Sequence, residues 1–218
     1  MKKLRMIAPA LFVLALSTSS GHALQYEKMA IGNTSKILVM ARGSINNGDT
    51  QRLLGFLLAL PASDRVAGMI VDSPGGGLVE AESLAGVIRR AAFPLFVPPG
   101  GQCSSACFLL FAAAPTRFVA TDALIGVHRA NESGKETIAA KTATAAMIKD
   151  ARELGVPEQV IMKLAQTPAN QKSWLSLSDF AAMRVSIVAG GPRTAGSTAV
   201  GIVDRQQIEA WLALLSTR

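Results

Sequence analysis

The chain alternates dense apolar runs of strand length with longer segments whose apolar residues recur every three or four positions. Residues 36–41 form the first run, stopped by Gly43 and the turn residues Asn46, Asn47 and Gly48. A helix capped by Asp49 or Thr50 follows, apolar at Leu53, Leu54, Phe56, Leu57, Leu58 and Leu60 and ended by Pro61. Residues 66–71 read as a strand that runs into Pro74-Gly75-Gly76-Gly77. Residues 78–91 read as a helix, with Arg89 and Arg90 in the last turn where cations complement its dipole. Then come a strand at 95–97, a helix at 105–114, and strands at 117–120 and 124–127. Helices at 137–154 and 157–165 precede a capping-box spacing from Ser176 to Asp179. Residues 24–35 suit an edge or an arm, 189–200 a loose segment and 204–216 a terminal amphipathic helix.

Strands that are apolar throughout, interleaved with helices, predict an α/β fold with a parallel sheet covered on both faces. Right-handed crossovers then gather the strand C-terminal ends along one edge, where ligands of such folds bind. The glycine-rich turn at 74–77, the stretch Gly100-Gly101-Gln102-Cys103-Ser104-Ser105-Ala106-Cys107, and His128 all follow such ends.

Half of the 218 residues are hydrophobic, enough for one sizeable core, and no linker forces a second domain. One domain over 24–218 is expected, with its core at 36–188 and a C-terminal extension at 189–218. The first 23 residues read as a secretory signal. Lys2, Lys3 and Arg5 form its positive start, residues 6–16 its apolar stretch, and Gly21-His22-Ala23 its cleavage site. The apolar stretch is shorter than the roughly 20 residues a spanning helix needs, although an uncleaved anchor is the alternative. The expectation is a periplasmic or secreted protein with no stable membrane insertion. Without the three basic leader residues the charge of +7 falls to +4, and the remaining Lys and Arg form no stripe. Nucleic-acid binding has no support.

The chemistry centres on the turn at 100–107. Glycines where a strand turns into a helix can expose a serine hydroxyl while free N–H groups at the helix start face whatever it attacks. Ser105 is the first candidate, although it could simply cap the helix that begins beside it, and Ser104 is the alternative if the register slips by one. His128 is the one histidine outside the leader, so the base role has one candidate of its type. It also suits a packed strand end. Cys103 and Cys107 flank the serine, and export would permit a disulfide. Four residues apart in one regular helix is near the limit of disulfide reach, but a pair with Cys103 in the turn could close. Two thiols without companions do not make a zinc site.

Four stretches in order carry a resemblance: Ser73-Pro74-Gly75-Gly76, Gly101-Gln102-Cys103-Ser104-Ser105, Arg117-Phe118 and Val127-His128. Together they resemble the Clp protease proteolytic subunit and the wider Clp/crotonase superfamily, from about residue 36 to 130 and thinly to 188. The resemblance implies an α/β fold with a Clp/crotonase-like parallel β-sheet core and flanking helices. It implies Ser105 as nucleophile, His128 as general base, and the N–H groups of Gly76 and Ala106 as oxyanion hole. It also implies peptide or protein substrates, no cofactor, no metal, and assembly into a homo-oligomer. The family's third residue is an aspartate two places before an aromatic-Leu-Ser sequence, here Trp174-Leu175-Ser176. That place holds Lys172. Asn170, or Thr167, is then the candidate to accept the histidine N–H. The expected function is an exported serine hydrolase of the peptidase class. The alternative is a non-catalytic member of the fold that binds a peptide or partner protein; acyl-thioester chemistry shares the oxyanion logic.

Overall fold

The computed structural model describes residues 23–189; the leader up to residue 22, and residues 190–218 with their expected terminal helix, lie outside them. The chain opens with β1 (Gln25–Ala30), β2 (Lys36–Arg42), α1 (Asp49–Leu58), β3 (Arg65–Asp72), α2 (Leu78–Arg90) and β4 (Leu95–Val97). It continues through β5 (Gln102–Ser104), α3 (Cys107–Ala113), β6 (Arg117–Ala120), β7 (Leu124–Val127) and α4 (Ile138–Glu153). The last elements are α5 (Glu158–Gln166), β8 (Ser173–Trp174), α6 (Leu177–Ala182) and β9 (Ser186–Val188).

Six strands form the main sheet in the order β1-β2-β3-β4-β6-β9. Every pairing within it is parallel except that of β1 with β2. The apolar runs explain this arrangement. Residues 37–41 and 69–71 are buried without alternation, as strands covered on both faces must be. β1 is half exposed and closes the edge, as the mixed sequence at 24–35 suggested. α3 is buried on every residue, the condition of a helix apolar all round. It packs on α2 and α4 and against β5 and β7.

The sequence led from the strand at 95–97 straight into the serine turn. In the structure β5 intervenes, pairs in parallel with β7, and with β8 forms a second, three-stranded sheet. Gln102-Cys103-Ser104 is too short and too polar to show a periodicity of its own; only its partners make it a strand. The same holds for β8 and β9, with two and three residues. The two sheets meet through one bridge: Ser73 N–H donates to Gln102 O (2.7 Å) and Ser104 N–H to Ser73 O (3.1 Å).

Capping of α1 also differs from expectation. Its N-cap is Gly48, at φ 87° and without a side-chain cap. Glu80 of α2 reaches across instead, accepting from Gly48 N–H (3.0 Å) and Thr50 N–H (2.6 Å). The starts of α1 and α2 are thereby fixed to each other, on either side of the glycine turn. The capping box is present at α6, where Ser176 and Asp179 exchange both bonds. Lys163 and Gln159 also donate to the Asp179 carboxylate, so this acid is committed to structure.

Candidate active site

Three chain segments converge where the two sheets touch. The first leaves β3 through Ser73 into Pro74-Gly75-Gly76-Gly77. Ile45 N–H donates to Gly75 O (2.9 Å) and Gly77 N–H to Ile45 O (2.8 Å), which stitches the turn to the chain after β2. A Cβ on Gly76 would lie 2.1 Å from Ile45 O, and one on Gly75 2.5 Å from Ser104 O and 2.7 Å from Ser105 Cβ. Only glycine lets these backbones come so close.

The second segment carries the serines. Ser104 is fully buried and donates its hydroxyl to Pro74 O (3.0 Å), so it is an internal strut with no access to a ligand. Ser105 lies between the end of β5 and α3 at φ 58°, in the left-handed region. A side chain there costs roughly 1–2 kcal/mol. Its N–H donates to Gly126 O (3.0 Å) and its carbonyl accepts from Phe108 N–H (2.9 Å), so β7 and α3 hold the turn from both sides. Cys103 and Cys107, both fully buried, form a disulfide that spans Ser105, with Cα atoms 5.2 Å apart. Cys103 sits on β5 rather than in the helix.

The third segment is the end of β7. His128 is 6% exposed, and its Nδ1 lies 2.7 Å from Arg129 O. A carbonyl oxygen can only accept, so Nδ1 carries the proton and the neutral ring keeps its lone pair on Nε2. Burial pushes the imidazole below its ordinary pKa; the hydrogen bond to Arg129 O opposes this, and the nearby Lys172 charge adds to it.

These segments share a cleft of about 670 Å³. Gly76, Ser105, Ala106, His128, Asn170 and Lys172 line it, with Leu78, Ala143 and Met147 forming an apolar wall. Among the described residues, neither Gly76 N–H nor Ala106 N–H has an acceptor. Ser105 and His128 line the same cleft, and no hydrogen bond joins them.

The candidates for a third residue fare differently. Asn170 reaches the cleft, but Arg129 O is what holds His128 Nδ1, so Asn170 does not take that place. The reason is local: the backbone turning away after β7 offers its own carbonyl to the ring. Thr167 spends its hydroxyl on Lys163 O (2.6 Å), and its carbonyl accepts from Arg129 N–H (3.0 Å). The clamp on this wall was not read from the sequence. Glu136 accepts from Arg129 Nε (3.0 Å) and from Ala169 N–H (3.0 Å), joining the loop after β7 to the loop after α5. A main-chain acceptor leaves no signature in residue identity, so no reading of side chains finds Arg129. Asp72, at the end of β3, accepts from Gln102 N–H (3.0 Å) and so ties β3 to β5.

Residues 25–171 match the family model described as Clp protease. No curated protein sequence matches the chain significantly. Among solved structures, ClpP1 from Listeria monocytogenes aligns at 16% identity and a TM-score of 0.53, over 72% of this chain and 92% of its own. The 1510-N membrane-bound stomatin-specific protease aligns at 15% and 0.52, over 69% and 77%. Enoyl-CoA hydratase from Thermoplasma volcanium aligns at 13% and 0.54, over 88% and 77%. At such identities the likeness concerns the fold, which proteases and a hydratase share. The family model is the more specific finding, and since it spans well over half of the residues, the chain belongs to the Clp protease family.

Proposed function

We propose that the protein is an exported serine peptidase in which Ser105 is the nucleophile and His128 the general base. The observation that carries this reading is the fixed tautomer of His128 in the cleft that Ser105 lines. With Nδ1–H committed to Arg129 O, Nε2 is the atom free to take the Ser105 proton as Oγ attacks the substrate carbonyl. The carbonyl oxygen becomes an oxyanion, and the N–H groups of Gly76 and Ala106 receive it. One such donor lowers the barrier by about 3 kcal/mol. The imidazolium returns its proton to the leaving amine, the C–N bond breaks, and an acyl-Ser105 remains. Water, deprotonated by the same Nε2, then releases the acid. The route uses neither cofactor nor metal.

The Arg129 carbonyl fixes the ring as the family's aspartate would, but it does not neutralise the imidazolium. Lys172 opposes that cation. Turnover is therefore slow beside a carboxylate-supported triad. The substrate needs an extended segment to enter a cleft open to solvent, which suits peptides. Assembly into a homo-oligomer accords with the family.

Fluorophosphonate labelling of the purified chain tests the reading. A stoichiometric adduct on Ser105, absent in Ser105→Ala, is expected; no adduct across pH 5–9 overturns it. A second reading, a peptide-binding protein without turnover, is favoured by one observation: a lysine stands where the family has an acid and no bond joins Ser105 to His128. Peptide binding with neither label nor hydrolysis would establish it.

A further inference from the structure

Lys172 brings to the cleft a charge that no carboxylate among the described residues pairs with. No Asp or Glu lines the cleft. The acid that clamps the neighbouring loop, Glu136, is engaged by Arg129 and by Ala169 N–H. Lys172 is not loose for want of a partner. Its Nζ lies 5.4 Å from the centre of the Trp174 ring, within cation–π range. Trp174 is fixed in turn, since it lies over Gly126, where a Cβ would come within 2.6 Å of its Cζ3. A cation thus stands in the lining of a cleft that also includes apolar Leu78, Ala143 and Met147, close to a histidine that is neutral.

A lone, positioned ammonium in a cleft without acids is a receptor for a carboxylate. Placing it there also disfavours a cationic ligand, which gives selectivity through repulsion as well as attraction. We propose that Lys172 is a specificity-determining residue, and that the cleft selects peptides presenting a carboxylate beside the group that faces Ser105. The carboxylate comes from an Asp or Glu side chain or from a peptide C-terminus. The proposal rests on the peptide reading above but not on turnover.

The test is equilibrium binding to the Ser105→Ala chain, read by anisotropy of rhodamine-labelled octapeptides of Gly, Ala and Leu. One is amidated and neutral, one amidated with a single central Glu, one neutral with a free C-terminal carboxylate, and one amidated with a central Lys. Binding of one carboxylate peptide about 2- to 5-fold tighter than the neutral one is expected, weakening as salt is raised; which of the two binds tells side chain from terminus. Lys172→Met should abolish the preference, Lys172→Arg keep it, and Lys172→Glu turn it towards the Lys peptide, all at unchanged melting temperature. Equal affinities, no binding at millimolar peptide, or a preference that survives Lys172→Met would overturn the proposal. Fluorophosphonate labelling in parallel separates the two readings. A labelled Ser105 without carboxylate preference removes the role of Lys172 alone. A preference without label removes the hydrolase and keeps the receptor.

Discussion

His128 Nδ1 donates to the main-chain oxygen of the next residue, Arg129, over 2.7 Å. A backbone acceptor therefore does the orienting that the family assigns to an aspartate. No side-chain substitution at 129 removes it directly, which makes this the most mutation-resistant part of the site. Lys172 stands in the place of that acid.

The pH dependence follows from the charge state of His128. Burial, with Lys172 adding to it, lowers its pKa below the ordinary 6.5. The ring acts as a base only when neutral, so activity lost by protonation is lost at lower pH than for a free imidazole. The acid limb of the fluorophosphonate inactivation rate should lie below pH 6.5. Removing the cation in Lys172→Met removes a lowering influence, so the limb should move up. A limb that moves down or stays contradicts this electrostatic account. Lys172→Asp should move it further up and raise the maximal rate, because the imidazolium gains a counter-charge.

The two adjacent serines predict opposite phenotypes. Ser105→Gly removes the proposed nucleophile but relieves a left-handed backbone, so labelling should vanish while stability rises by about 1 kcal/mol. Ser104→Ala leaves Ser105 in place and removes a part-buried hydrogen bond to the Pro74 carbonyl, at a cost of about 0.5–1.5 kcal/mol. Melting temperatures with labelling stoichiometry check both. Labelling that survives Ser105→Gly and fails in Ser104→Ala would make Ser104 the nucleophile and overturn the proposed role of Ser105.

The Cys103–Cys107 disulfide closes a short loop around Ser105, and cross-links of this size stabilise by about 2 kcal/mol through the unfolded chain. The double variant Cys103→Ala with Cys107→Ala should melt lower by that amount. Its labelling rate should fall more than the loss of folded protein explains, because the brace on the serine turn is gone. Equal rates after correction for folded fraction would show that β7 and α3 suffice to hold it.

Two glycines separate site from scaffold. Gly126→Ala forces Trp174 off β7 and should cost about 1–3 kcal/mol along with the support of Lys172. Gly55→Ala meets nothing within 4 Å inside α1 and should stabilise by about 0.5–1 kcal/mol with labelling unchanged. Denaturant midpoints decide both.

The longer elements were legible because burial imposes a period on residue choice. The unbroken apolar runs at 37–41 and 69–71 could only be strands covered on both faces, and Leu84, Val87 and Ile88 could only face a core from a helix. That the glycine turn, the serine turn and the histidine meet was legible too, because parallel strands joined by right-handed crossovers bring their C-terminal ends to one edge. The capping box at Ser176 is local and was read for the same reason.

What the sequence left open are features whose partners lie far along the chain. β5, β8 and β9 are strands only by virtue of their neighbours, and Glu80 caps α1 from another helix. The choice between Ser104 and Ser105 depended on which hydroxyl met Pro74 and which met the cleft. The acceptor for His128 is a main-chain atom that every residue possesses. Residue identity encodes local preference and burial; it carries no label for a carbonyl oxygen that folding alone brings within reach of a ring.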